Sequence, residues 1–146
     1  MDIATRVGLG LLRIHQAIYQ ASDGQVGHQL LGVPCLLLRT TGRRSGRTRT
    51  ASLVYGRDGS DYVVVASLGG ADKTPDWLHN IRSRPEVEVQ VGRQRFRATA
   101  AVVEAADGDH APLWRLMNGI NRGRYDRYQA RTSRPIPVVR LTPAGG

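Results

Sequence analysis

Apolar residues recur at helical spacing near the start of the chain, where they predict an amphipathic helix over about residues 3 to 21, in an N-terminal segment of about 1–22. The stripe consists of Ile3, Val7, Leu11, Ile14 and Ile18. We expect it to pack on a sheet, but Arg6 and Arg13 beside it also suit a helix on a membrane surface. The pattern therefore leaves a peripheral membrane contact open.

From about residue 34 onward, short apolar or alternating runs are separated by turns, which is typical of antiparallel strands. Asp58-Gly59 and Gly92-Arg93 occupy two predicted hairpin turns. We expect six strands, at about residues 34–40, 48–57, 62–66, 86–91, 94–103 and 137–141. With helices in the connections, this order predicts a mainly β protein with a small, mostly antiparallel barrel over about 34–142, in a single domain of residues 1–146.

Two further helical patterns lie in the connections between strands. Thr74 as N-cap and Pro75 at the first helical position begin a short helix that ends near Ser83. A longer pattern covers about residues 107–131 and breaks at about 119–123. We therefore expect one short helix after the third strand and a broken helix before the last strand.

The turn between the first two strands carries a dense set of anion-binding groups. Its guanidinium groups belong to Arg39, Arg43, Arg44, Arg47 and Arg49, and its hydroxyl groups to Thr40, Thr41 and Ser45. Gly42 and Gly46 let the backbone bend, which leaves N–H groups to bind an anion. No acidic residue lies between Asp23 and Asp58, so the turn should hold a phosphate or several carboxylates. An ordinary basic turn that faces water is the alternative.

A second candidate anion site follows the third strand. Residues 67–73 contain two glycines and precede a predicted helix N-terminus, where backbone donors and the helix dipole favour a phosphate. The segment has the spacing of neither a P-loop nor a dinucleotide fingerprint. It therefore supports an anion site only together with the basic turn.

The overall charge is strongly positive, so an anionic partner must be considered. Lys and Arg number 21 against 12 Asp and Glu, which gives a formal net charge of +9. The aromatic content of 5% argues against nucleic acid, because modules that bind single strands stack bases on aromatic side chains. Without a signal peptide or an apolar span, a cytoplasmic location is expected.

The chain shows no sign of a disulfide or a metal site. Cys35 is the one cysteine and lies in an apolar run, so we expect a small buried hydrophobic residue and not a reactive thiol. His15 and His28 have no partner at the spacing of metal ligands. We therefore expect no bound metal.

In the order and spacing of its motifs the chain resembles the deazaflavin-dependent nitroreductase family of actinobacteria, whose members use coenzyme F-420. The resemblance covers nearly the whole chain from about Pro34 onward. The matching residues are Thr40 to Gly46 with Arg49, then Ala66-Ser67, Gly70-Ala71, Pro75, Trp77, Asn80, Arg84-Pro85, Tyr125, Tyr128 and Ile136-Pro137. It implies a six-stranded split β-barrel of the FMN-binding-like type.

The resemblance also implies how a coenzyme is held. The basic turn with Arg49 is expected at the phosphate and oligoglutamate tail, and Ala66, Ser67 and Trp77 at the ring system. The expected coenzyme-binding residues are Gly42, Arg43, Arg44, Ser45, Arg49, Ala66, Ser67, Gly70, Ala71, Lys73, Pro75, Trp77 and Asn80. FMN is the weaker alternative as coenzyme.

Tyr125 and Tyr128 are three residues apart and share a helical face. The resemblance implies that this face lies on the substrate side, where a Tyr hydroxyl or water would supply a proton. Helix packing with exposed hydroxyls is the alternative role for both residues.

Two departures from the family pattern change the expectations. Leu68 stands where the family often has a basic residue, so Lys73 or backbone groups are expected to take part of the phosphate contact. The C-terminal segment has Arg122 and Arg131 where members that reduce nitroimidazole prodrugs have aromatic residues, which puts that activity in doubt.

We therefore predict an oxidoreductase that transfers a hydride from reduced coenzyme F-420 to a small electron-poor acceptor such as a quinone, an enone or a nitro compound. A non-catalytic carrier or sensor of the coenzyme is the first alternative. A nucleic-acid-binding barrel is the second alternative, although no nucleic acid is expected. A homodimer stays open.

Overall fold

The computed structural model describes residues 32–145. The predicted N-terminal helix, His15 and His28 lie outside these residues. The described strands are β1 (Cys35–Thr41), β2 (Thr48–Val54), β3 (Gly56–Asp58), β4 (Asp61–Val65), β5 (Glu86–Val91), β6 (Gln94–Val103) and β7 (Val138–Pro143). The described helices are α1 (Asp76–Ser83), α2 (His110–Ile120) and α3 (Arg124–Ala130), with a short 3-10 turn at Leu68–Gly70.

The strands form one antiparallel sheet that curls on itself. Their order is β2-β1-β5-β6-β7-β4-β3, so β2 and β3 lie at opposite edges of the sheet. Tyr55 alone separates these two strands along the chain, and its N–H donates to the Pro34 carbonyl at 3.1 Å. The two edges must therefore meet at Tyr55, which gives the predicted barrel-like sheet.

The sheet has seven strands where the sequence predicted six. The predicted second strand, 48–57, is two strands that belong to opposite edges. Its alternating pattern continues through Tyr55, but a single strand cannot follow the chain from one edge of the sheet to the other. The correction affects the strand count and leaves the fold class as predicted.

Both faces of the sheet are covered where the helices pack. Leu36, Leu38 and Val64 belong to one buried cluster with Trp77 and Ile81 of α1. Neighbouring residues of β4 point to the other face and pack against α2 and α3, in a cluster of Val63, Val65, Leu113, Met117, Tyr125 and Val138. Burial on both faces explains why β4 is a continuous apolar run.

The helix ends follow the local sequence with one correction. Pro75, and not Thr74, is the N-cap of α1, because its ψ of 143° is extended and helical geometry begins at Asp76. The predicted break between α2 and α3 is confirmed, since Arg122 and Gly123 have left-handed φ values of 59° and 78°. In the part of the chain that the structure describes, no helix is long and apolar enough to span a membrane.

Candidate functional site

Asn80 connects the basic turn between β1 and β2 to α1. Its side chain is 3% exposed, donates through Nδ2 to Thr40 Oγ1 at 3.0 Å, and accepts the Arg43 N–H at Oδ1, also at 3.0 Å. A buried amide with both ends bonded fixes the position of the turn relative to the helix. Asn80 therefore fixes the turn to α1.

The turn also uses several of its own N–H groups. The Gly42 N–H donates to the Arg47 carbonyl at 2.7 Å, and the Gly46 N–H donates to the Gly42 carbonyl at 2.8 Å. The Arg47 N–H donates to the Ser45 hydroxyl at 3.1 Å. The turn is therefore well ordered, but it has fewer free N–H groups than its sequence predicted, and side chains must supply most contacts to an anion.

Four guanidinium groups of the turn are exposed, those of Arg43, Arg44, Arg47 and Arg49. Within residues 32–145 no carboxylate forms an ion pair with them. Arg39 differs, because it pairs with Glu88 at 3.3 Å and donates to Gln90 at 2.9 Å. It therefore does not belong to the free cationic cluster that the sequence predicted.

A small cavity of about 130 Å³ lies where this turn meets the end of α1, and it is lined by Thr41, Gly42, Arg43, Gly46, Ser83 and Arg84. This space is several times that needed for one water molecule, so a phosphate-sized group would fit. His79 lies on α1 near the same positive charges. Partial burial is the larger cause, and the charges of Arg43 and Arg82 the next, that hold the pKa of its imidazole below the usual value. The region is therefore electropositive and has space for an anionic group.

The loop that precedes α1 has an unusual backbone. Leu68, Gly69 and Gly70 have φ values of 45°, 64° and 85°, which are left-handed. Such values are unfavourable for a leucine and are found at sites that the surrounding structure holds in place. On either side, Ala66, Ser67 and Ala71 are 9% exposed or less. The loop therefore presents a closely packed backbone surface.

The other predicted coenzyme-side residues divide between the core and the surface. Trp77 is 8% exposed and packs with Ala66 and Leu38, which matches core packing as well as a wall of a ring site. Pro75 is buried, whereas Lys73 is exposed at the loop. Their contacts with a coenzyme stay a prediction.

Helix α3 packs directly against this loop. A Cβ atom on Gly70 would lie 2.8 Å from the Tyr128 carbonyl oxygen, so the two backbones are in close contact. The Arg131 guanidinium lies 5.7 Å from the centre of the Tyr128 ring and donates to the Gly69 carbonyl at 3.4 Å. The structure thus brings the predicted substrate-side helix next to the predicted ring-side loop.

The two tyrosines of α3 are in different environments, although they share a helical face. Tyr125 is 4% exposed in the core, and this burial raises the pKa of its phenol. Tyr128 is half-buried, and its ring meets that of Tyr125 edge-on at 6.0 Å. Tyr128 is therefore the more accessible hydroxyl group.

Arg134 lies in the same region, and nothing in the charge pattern singles it out. Its guanidinium donates to the carbonyls of Ala66, Ser67 and Ala71 at 3.0 to 3.3 Å. An arginine just before a proline in a polar turn looks like a solvated residue in the sequence. Its neighbours become visible only when the fold brings the loop and β7 together.

Comparison with known proteins agrees with this geometry. The sequence profile of F420H(2)-dependent quinone reductases matches residues 11–143. An F420H(2)-dependent quinone reductase of Mycobacterium tuberculosis is 51% identical over 97% of this chain and 99% of that protein. This chain belongs to that family.

Two solved structures share the fold of this member of the quinone reductase family. An F420-H2 dependent reductase is 34% identical, has a TM-score of 0.65, and covers 74% of this chain and 93% of its own. A protein described as a domain-swapped dimer is 31% identical, has a TM-score of 0.67, and covers 88% and 96% of the two chains. The predicted family, the split-barrel fold and the F-420-dependent oxidoreductase class are therefore confirmed at the level of the family.

Proposed function

We propose that this protein transfers a hydride from reduced coenzyme F-420 to a quinone-type acceptor. The observation that carries the proposal is a series of contacts: the cationic turn is bonded to α1, the ring-side loop 66–71 precedes α1, and the tyrosine helix α3 packs against that loop. The family profile and the identity to a mycobacterial F420H(2)-dependent quinone reductase support the same chemistry. Enones and nitro compounds belong to the same class of electron-poor acceptors.

The basic turn fits the anionic end of the coenzyme. Arg43, Arg44 and Arg49 would bind the phosphate and the oligoglutamate carboxylates, because guanidinium groups match both anions with two parallel hydrogen bonds. The Ser45 hydroxyl would complete the contact as a donor, and Gly42 would line the cavity. The free charge of these side chains and the cavity beside them support this assignment.

The loop and the start of α1 would bound the flat ring. Ala66, Ser67, Gly70 and Ala71 offer a backbone surface without bulky side chains, and Trp77 with Pro75 would close the inner wall. Lys73 is exposed nearby and would add a positive charge toward the coenzyme phosphate. These residues orient the ring and exclude water from one of its faces.

When bound, the reduced coenzyme supplies the hydride, and the protein must place the acceptor and deliver a proton. Tyr128 is suited to both tasks, because its half-buried ring can stack on a planar acceptor and its hydroxyl can donate. Tyr125 lies behind it and would set its orientation through the edge contact between the rings. Tyr128 thus takes both the acceptor contact and the proton delivery, and Tyr125 takes a supporting role, whereas the family resemblance implied the same role for the two residues.

The first test is a binding spectrum followed by turnover. The purified protein is mixed with oxidised F-420 or with FMN, and we expect it to retain F-420. Oxidation of the reduced coenzyme is then followed by absorbance with menadione as acceptor. Retention without turnover would support a non-catalytic carrier instead, and retention of FMN alone would refute the proposed coenzyme.

The second test separates the two tyrosines. Tyr128→Phe should lower kcat by about tenfold, at the low end for a positioned acid because water can substitute, with coenzyme affinity unchanged. Tyr125→Phe keeps the ring that meets Tyr128 edge-on, so it should leave kcat close to the parent value and change the free energy of unfolding by no more than about 1 kcal/mol. A parent-like kcat for Tyr128→Phe would remove its hydroxyl from the reaction.

We propose further that the chain forms one domain and assembles as a homodimer. A related structure at 31% identity is described as a domain-swapped dimer, which supports self-association in this fold. Light scattering during gel filtration measures the mass directly. A monomer mass at the concentration of the activity assay would refute the dimer and leave the coenzyme site unaffected.

A further inference from the structure

We propose that Arg134 is a positioning residue that clamps the ring-side loop 66–71, an inference that rests on the proposed function. Its Nη1 donates to the Ala66 carbonyl at 3.1 Å and its Nη2 to the Ser67 carbonyl at 3.0 Å. Nε and Nη2 both lie 3.3 Å from the Ala71 carbonyl and donate to it. One planar group thus binds the loop at both of its ends.

The partners of Arg134 indicate its role. All three hydrogen-bond acceptors are backbone carbonyls, so the side chain fixes the path of the loop, and Asp72 interacts with it through charge alone. A guanidinium has five N–H donors in a rigid fork, which lets it hold several carbonyls in a set arrangement. A lysine ammonium has its three donors on one nitrogen atom, which could not reach all three carbonyls at once.

The loop requires such support from outside. Its internal backbone bonds are those of the 3-10 turn, from the Gly70 N–H to the Ser67 carbonyl at 2.9 Å and from the Ala71 N–H to the Leu68 carbonyl at 3.2 Å. Leu68 has a φ of 45°, which a leucine adopts only when neighbouring structure enforces it. Arg134 lies where it can enforce this path.

Arg134 is in turn attached to α3 through Gln129. The Gln129 Nε2 donates to the carbonyls of Arg134 and Thr132 at 2.9 and 3.2 Å, and its Oε1 accepts the Ile136 N–H at 3.0 Å. The Arg134 N–H donates to the Thr132 hydroxyl at 3.1 Å. A continuous set of bonds therefore runs from the tyrosine helix to the loop, and it sets the distance between the acceptor side and the coenzyme side.

The test uses Arg134→Lys, which keeps the charge, with Arg140→Lys as matched control. Arg140 is also a bonded arginine, but it pairs with Asp58 at 2.7 Å and Asp61 at 3.3 Å, away from the loop. In the protein without coenzyme, Arg134→Lys should speed hydrogen exchange at the Gly70 and Ala71 amides by about tenfold, with β-strand amides unchanged. Arg140→Lys should leave the loop amides at the parent rate.

The same variants are then titrated with oxidised F-420 and assayed with menadione. For Arg134→Lys we expect about tenfold weaker coenzyme binding and a lower kcat at saturating coenzyme, since the ring and the acceptor lose their relative placement. A purely structural role would lower the melting temperature while leaving the coenzyme affinity and kcat of the folded fraction unchanged. That result would overturn the proposal.

A second variant keeps the test decisive if Arg134→Lys does not fold. Gln129→Glu retains the acceptor for the Ile136 N–H and removes the donors to the Thr132 and Arg134 carbonyls. The Arg134 side chain is then unchanged, but its backbone is no longer bonded to α3. Faster exchange at Gly70 and Ala71 is expected here too. Parent-like loop exchange in the folded variants would overturn the proposal, whereas failure of the parent protein to retain coenzyme would refute the proposed function and leave the exchange comparison valid.

Discussion

Side chains at the β1–β2 turn differ in how much of their charge is available. Arg43 and Arg44 are exposed and form no ion pair with the described carboxylates, while Arg39 on the neighbouring strand is bonded to Glu88 and Gln90. Both kinds of arginine look alike in the sequence. A bound anion would therefore draw on the tip of the turn more than on the strand below it.

Replacing both Arg43 and Arg44 by Ala should weaken coenzyme binding by about 2 to 4 kcal/mol, because each lost charge-assisted bond is worth roughly 1.5 to 3 before solvent screening. Fluorescence titration at low salt measures the dissociation constant. Arg93→Ala with Arg115→Ala is the control, since it removes the same formal charge from exposed positions elsewhere. Equal effects of the two pairs would mean that only net charge matters.

His79 provides a pH-dependent readout of the same region. Burial and the nearby Arg43 and Arg82 hold its pKa below the usual 6.5, so the folded protein binds this proton less readily than the unfolded chain. The stability contributed by neutral His79 is therefore full above pH 6.5 and declines as the pH falls below it. A bound anion would raise this pKa, and binding would take up a proton.

Coenzyme affinity should consequently increase as the pH falls below 6.5, by at most about tenfold per pH unit for one linked proton. The measurement is the dissociation constant at a pH above and below this value, for the parent and for His79→Gln. Comparison of the two proteins cancels titration of the coenzyme itself. Identical pH profiles would exclude His79 from the linkage.

At the scale of elements, the contact between α3 and the loop 66–71 is the feature that brings the two sides of the proposed site together. Gly70 has a φ of 85°, and a Cβ atom there would lie 2.8 and 3.0 Å from the backbone O and Cα atoms of Tyr128. Backbone atoms cannot move aside as a flexible side chain can. The absence of a side chain at Gly70 thus sets how closely the helix approaches the loop.

Gly70→Ala should therefore cost more than the roughly 1 to 2 kcal/mol expected for a left-handed alanine, and it should also reduce kcat. Gly59→Ala is the matched control, because Gly59 has a φ of 62° and no atom lies within 4 Å of the position of its Cβ. Chemical denaturation gives the two losses of stability. Equal losses of stability with an unchanged kcat would show that α3 can move away from the loop without affecting turnover.

Much of this element structure follows from local sequence. The periodicity and turn residues predicted the basic turn and a helix break at about residues 119–123, where Arg122 and Gly123 have left-handed φ values, because each depends on neighbours along the chain. The end of β2 at Val54 depends instead on closure of the sheet, and the contacts of Arg134 with Ala66 join residues 68 positions apart. Such long-range features leave no periodic signal, which is why the sequence did not reveal them.

For the molecule as a whole, closure depends on one residue between the two sheet edges. Tyr55 connects β2 to β3, and its N–H bonds to the Pro34 carbonyl at 3.1 Å. Its ring also meets the Tyr62 ring at 5.6 Å. A connection this short holds the edges together without a further strand.

A Gly-Gly insertion after Tyr55 should lower the free energy of unfolding by about 2 kcal/mol or more, from a lost hydrogen bond and the ordering of two extra residues. The same insertion after Gly59 lengthens an exposed hairpin turn and should cost less than about 1 kcal/mol. Urea unfolding compares the two proteins. If both insertions lower the free energy of unfolding by the same amount, the connection at Tyr55 does not hold the edges of the sheet together.

Strand β7 lies between β4 and β6 in the sheet, although it is the last strand described along the chain. The Ala66 N–H donates to the Pro137 carbonyl just before this strand, and Arg134 precedes it too. During folding, the loop 66–71 therefore gains these contacts only when residues 134–143 have joined the sheet, late among its long-range contacts. A chain truncated before Arg134 would keep every arginine of the basic turn and lose these supports of the loop, so we expect it to bind the coenzyme poorly although all the predicted anion-binding side chains are present.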